Sequence, residues 1–140
     1  MAIKLGMNAK LYYGTAGSLA TTEMTNVQDV TLNLETGEAD VTTRGNSGWR
    51  ATAATLKTGS VEFKMIWDTG DAGFTAIKTA YFNATAIALA VLDATGGEGL
   101  DADFTVTNFS RSEPLEEAIT VSVTVKPTYS TRAPTWKAAS

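Results

Sequence analysis

Ile119-Thr120-Val121-Ser122-Val123-Thr124-Val125-Lys126 alternates apolar and polar side chains without a break. Successive residues of a strand point to opposite faces. Ile119, Val121, Val123 and Val125 therefore share one face, and Thr120, Ser122, Thr124 and Lys126 share the other. Such a strand belongs in a sheet with one side on a core and the other in water. The same pattern recurs over 60–67, where Val61, Phe63, Met65 and Trp67 lie opposite Glu62 and Lys64, with Ile66 on the polar side. It recurs again over 27–34, where Val30, Leu32 and Leu34 oppose Thr31, Asn33 and Glu35. Residues 9–13 and 104–109 read as further strands. The continuous apolar run 86–92 reads as a strand buried on both faces.

One helix interrupts the strands. Phe74, Ile77, Lys78 and Tyr81 stand at i, i+3, i+4 and i+7, so the spacing predicts a helix over 71–83 with Asp71 as its N-cap. At about three turns it is too short to hold alone and must dock on a sheet. The stretch 36–59 is rich in Gly, Thr and Ala, and its periodicity is weak. It is expected as an extended loop, with 39–43 open to being strand, and loops of that length are usually functional. After Pro127 the chain carries Pro134 and Trp136 without a regular pattern and is expected as a C-terminal arm over about 127–140. The expected architecture for residues 1–140 is a single, mainly β domain: an antiparallel β-sandwich or partly open barrel with one flanking α-helix.

Composition removes several classes of chemistry. The 140 residues contain no Cys and no His, which excludes disulfides, thiol catalysis, Cys/His zinc sites and every mechanism that needs an imidazole. Eleven Lys and Arg against fifteen Asp and Glu leave a net charge of −4, and the basic residues are scattered. A sequence-reading DNA binder would carry a basic stripe. Contact with nucleic acid that slides rather than sticks stays open. The first residues hold no apolar stretch long enough for a signal peptide, and the longest apolar run is far short of the ~20 residues of a membrane helix. A soluble chain made in the cytoplasm is expected, with no membrane insertion.

The motifs that resemble reactive sites have simpler readings. Gly96-Gly97-Glu98-Gly99 lacks the Lys-Ser/Thr pair of a phosphate loop and reads as a turn. Asp68-Thr69-Gly70-Asp71 places Gly70 and Thr79 where a calcium loop needs acids, and reads as a strand-to-helix turn. Gly45-Asn46-Ser47-Gly48 has no His to activate its serine. The carboxylates Asp101 and Asp103, and Glu113, Glu116 and Glu117, read as solvated or interface charges. Trp67 ends an apolar strand face and reads as core. Trp49, beside Arg50 in a polar stretch, reads as an interface anchor, and Trp136 does so more weakly.

Taken together, the strand at residues 9–14, the strand at 27–34, the Gly/Thr stretch through Gly48-Trp49-Arg50, the strand at 60–67, the single helix and the pair spanning 104–126 resemble the major tail tube proteins of long-tailed bacteriophages. A related fold occurs in contractile injection devices and type VI secretion tubes. The resemblance implies a structural subunit with no enzymatic activity and no cofactor, which forms hexameric rings that stack into a hollow tube in the virion tail. Subunit sheets join into one β-barrel around a lumen through which DNA passes into the host. A long loop reaches onto neighbours, and the chain termini help join successive rings. Its implied partners are further copies of itself, other tail proteins such as the tape measure and tail terminator, and non-specific DNA. On this reading Arg44, Trp49, Arg50, Leu56 and Trp136 are expected at subunit contacts. Glu62, Lys64, Thr120, Ser122 and Thr124 are expected to include lumen-facing side chains. A carbohydrate-binding β-sandwich is the alternative, with Trp49 lining its groove, and a carboxylate hydrolase stands behind it.

Overall fold

The structure is a computed structural model that describes residues 3–128 and 130–139. Its strands are β1 (Lys10–Thr15), β2 (Thr22–Glu23), β3 (Val27–Asp40), β4 (Thr52–Ile66), β5 (Ile87–Leu92), β6 (Gly99–Ser112), β7 (Thr120–Pro127) and β8 (Thr135–Lys137), and its one α-helix is α1 (Ala72–Phe82). They form a single sheet in the order β2-β1-β5-β6-β7-β4-β3, with β8 pairing β6 where β7 ends, and every pairing is antiparallel. The sheet curls into a half-barrel, so of the two expected architectures the partly open barrel is the one found.

Alternation decides which face turns inward. Val61, Phe63 and Met65 of β4 and Val121, Val123 and Val125 of β7 are buried together with Phe104 and Val106 of β6. Phe74, Ile77 and Ala80 of α1 complete this core, so the helix closes the dry face. Trp67, just past β4, packs edge-on against Phe74 at 4.8 Å and carries the Arg111 guanidinium over its ring at 4.8 Å. β5 is dry on both faces, as its composition requires. Ile87 and Leu89 enter the main core, while Ala88, Ala90 and Leu92 meet Ala20 and Tyr12 in a second cluster. The β5–β6 turn is so close that a Cβ on Gly99 would lie 1.6 Å from the Val91 carbonyl oxygen.

The helix begins where the residues dictate. The Asp71 carboxylate accepts the Phe74 N–H at 2.9 Å, satisfying one of the orphan donors of the first turn. Asp71→Ala is expected to cost about 1 kcal/mol and to lower Tm by roughly 3–5 °C in a domain of this size. Thermal denaturation followed by circular dichroism measures this, and an unchanged Tm would show the cap to be idle.

Two expectations are corrected. The stretch 36–59 is not an extended loop. β3 and β4 continue pairing to Asp40 and Thr52, with a bulge between Thr36 and Glu38, so that only residues 41–51 lie outside the strands. Beyond the body this ribbon is wet on both faces, and no burial writes a period of two into its sequence. The C-terminal arm is also more ordered than its composition implied. After Pro127 the chain makes a short excursion and returns as β8, extending the line of β7 along β6.

Candidate functional site

The wet face of β3, β4, β7 and β6 is built by the polar half of the alternation. Thr31 lies across from Glu62, Glu62 from Thr124, and Thr124 from Asn108; on the next rung Lys64 faces Ser122, and Ser122 faces Ser110. Asp29, Thr31, Glu62, Lys64, Ser122 and Thr124 line a trough of about 260 Å³. Thr120, part-exposed, stands at its end beside Ile66. The residues expected on a wet wall therefore share one surface, outside the core. Three carboxylates (Asp29, Glu35, Glu62) and two amines (Lys64, Lys126) border this face, leaving it slightly negative.

The β3–β4 ribbon carries the other candidate residues. Its 41–51 tip is stitched by the Val41 N–H to the Ala51 carbonyl and the Ala51 N–H to the Thr42 hydroxyl, and it reverses through Ser47 and Gly48, both at positive φ. Arg44, Trp49 and Arg50 come together around a shallow depression there. Trp49 is 78% exposed, and it borders this depression together with Gly48. Leu56, 82% exposed, sits partway along the ribbon. Trp136 is elsewhere. It lies on β8, donates to Glu98 at 2.6 Å, and borders a cleft of about 520 Å³ with Leu34, Leu100, Pro127 and Pro134 at the ribbon's base. The structure thus joins three of the five expected contact residues and separates the other two.

Sequence reasoning misread one charged group. Asp101 and Asp103 are buried, on the face of β6 opposite Ala102 and Phe104. Arg132, from the excursion after β7, donates Nη1 to Asp101 at 2.9 Å and Nε to Asp103 at 2.8 Å. Asp103 also accepts from the Gly17 N–H at 2.8 Å and from the Ser130 hydroxyl. Burial works to raise the Asp103 carboxyl, but the bonds from Ser130, Arg132 and Gly17 together hold it below the ordinary value of 3.8. The cluster clamps both the β1–β2 loop and the C-terminal segment onto the sheet. Glu113, Glu116 and Glu117 are exposed as expected, with Glu113 paired to Arg111 at 3.2 Å.

The short strand β2 ends the sheet on one side, and two longer edges are also open. Among the described residues no strand pairs the outer side of β3, and none pairs residues 105–112 of β6 on the side away from β7. A fourteen-residue free edge beside a ribbon bearing exposed Trp and Leu is a hazard in a monomer and a means of association in an assembly. Fold and surface together define a structural β protein whose sheet is laid out for joining to others. No helix among the described residues is long and apolar enough to cross a membrane.

The chain belongs to the phage tail tube protein family, whose model matches residues 9–128. No curated protein matches it. Among solved structures it is similar to the tail of an empty gene transfer agent particle refined with helical C6 symmetry, at TM-score 0.77 and 15% identity, covering 97% of this chain and 100% of that one. It is similar to the SPP1 tail tube at TM-score 0.69 and 18% identity, covering 89% of this chain and 75% of that one. The baseplate of the anti-feeding prophage gives 0.62 at 4% identity, covering 99% and 98%. At these identities the likeness is one of fold. The chain is a structural tail tube subunit.

Proposed function

We propose that copies of this chain close into rings, six to a ring as in the sixfold tail it is similar to, and that the rings stack into a tube whose channel passes DNA into the host. The observation that carries this is the pair of free edges on one curled, two-faced sheet. β3, β4, β7 and β6 alternate in direction, so β3 of the next copy can join residues 105–112 of β6 antiparallel and extend the barrel. The polar face then lines the channel. Glu62, Lys64, Thr120, Ser122 and Thr124 form a wall that is hydrated and slightly negative, which gives phosphates no cluster of cations to hold and lets DNA slide. Arg44, Trp49, Arg50 and Leu56 on the ribbon make contacts between copies, and Trp136 contributes at its base. The tube's ends and lumen are where other tail proteins, such as a terminator and a tape measure, would meet it; synthesis is in the host cytoplasm and the destination is the virion tail.

Negative-stain microscopy of the purified chain over a range of concentrations tests the reading. Rings or hollow tubes are expected. A strict monomer at every concentration would overturn it.

A further inference from the structure

We infer that the last turn of α1 is a receptor for the neighbouring copy's β3, with Tyr81, Phe82 and Phe109 of one subunit covering Val30 and Leu32 of the next. The inference rests on the tube reading and adds the side chains that fasten one copy to another.

The dry face of the sheet contains a cross-strand row. Val30 lies opposite Phe63, Phe63 opposite Val123, and Val123 opposite Phe109. Its middle is sealed, with Phe63 3% and Val123 1% exposed. Both ends are open. Val30 is 37% exposed on the free edge of β3, and its neighbour Leu32 packs on the core only in part. At the other end Phe109 is half-buried, on the stretch of β6 whose far side is unpaired. There the helix finishes in aromatic residues. Tyr81 stacks on Phe109 at 5.8 Å, and Phe82 packs edge-on against both Tyr81 at 5.2 Å and Phe109 at 6.4 Å. Yet Phe82 is 71% exposed. A helix that served only its own core would finish on a polar last turn. Here an aromatic group overhangs an open strand edge.

One occupant fits both ends. A second copy brings a strand of the right direction, and on the face that would lie beneath the aromatics it carries Val30 and Leu32, apolar and incompletely covered. The two halves of the contact are on different patches of one chain, which makes it heterologous and able to close a ring. Burying an aromatic of this size in such a contact produces the kind of anchor that dominates interface energetics.

The absence of native cysteine makes cross-linking specific. The pairs Val30→Cys/Phe82→Cys and Leu32→Cys/Phe82→Cys, treated with a short bis-maleimide under assembly conditions, are expected to give a covalent ladder ending in a closed oligomer. Val30→Cys/Thr95→Cys, with the second thiol in the exposed turn between β5 and β6, is expected to give none. Because Phe82 is mostly exposed, Phe82→Ala leaves the fold intact and is expected to raise the concentration needed for assembly by about tenfold or more. Equal ladders in test and control pairs, or normal assembly by Phe82→Ala, would overturn the seam and leave the tube reading standing. An unmodified chain that never assembles removes the tube reading, and the seam with it.

Discussion

Arg132→Leu is expected to cost about 3–5 kcal/mol, the range for removing one partner of a buried ion pair, and to release the segment after β7 from the sheet. The size follows from what is left behind. Without the guanidinium, Asp101 and Asp103 keep their burial and lose the charge that compensates it. The chain relieves them by undocking residues 130–137, which lets water reach both carboxylates and caps the loss. Urea denaturation measures the total, and hydrogen exchange on the β8 amides detects the release. Adding Asp101→Asn and Asp103→Asn to Arg132→Leu is expected to recover much of the loss, because no buried charge then remains unpaired. Full stability in Arg132→Leu alone would show the cluster to be incidental. The pH dependence has a definite sign. The folded-state Asp103 carboxyl lies below its ordinary 3.8, so its contribution is complete above that value and is lost as pH falls through the folded-state value. Acid should therefore loosen the C-terminal segment, and neutral to mildly alkaline pH should not.

Deleting residues 46–50 is expected to abolish tube formation and to leave a folded monomer. The tip is distant from the core in sequence register, and none of Asn46, Ser47, Gly48, Trp49 or Arg50 is buried. The remaining loop still joins Asp40 to Thr52, so the strands beneath it keep their pairing. What disappears is the Trp49 and Arg50 surface and the shape of the Arg44 depression. An isolated two-stranded ribbon is marginal in water, which fits a ribbon that becomes fully ordered against a partner. Sedimentation and electron microscopy read the assembly, and the thermal transition reads the fold. Tubes formed normally by the deletion variant would remove the tip from the contact.

How far the sequence reaches depends on where burial leaves its mark. Val121, Val123 and Val125, and Val61, Phe63 and Met65, are legible because each faces a core while its neighbours face water. Asp71 and the Phe74–Ile77 spacing are legible because capping and docking are local. The ribbon from Glu35 to Lys57 is not, since Thr, Ala and Gly with solvent on both sides carry no alternation. Asp101 and Asp103 look solvated because the residue that neutralises them, Arg132, is thirty-one and twenty-nine positions away and isolated in the tail. A D-A-D-F strand followed by a lone Arg in a Pro-flanked segment was the only available signal. Among the candidate contact residues, Trp49 and Arg50 are read from residue type in a polar stretch and Arg44 from the resemblance, and the three stand together at the ribbon tip. Phe82 and Phe109, which carry the proposed seam, read as ordinary helix and strand positions until the open edge beside them was visible.

The central claim is that the polar face of the β3–β4–β7–β6 sheet becomes the inner wall of a tube. A helical reconstruction of the assembled chain by electron cryomicroscopy tests it most directly. The account predicts a hollow tube with Glu62, Lys64, Ser122 and Thr124 of every copy on the channel surface. A tube that carries those side chains on its outside, or packs them between subunits, would contradict it.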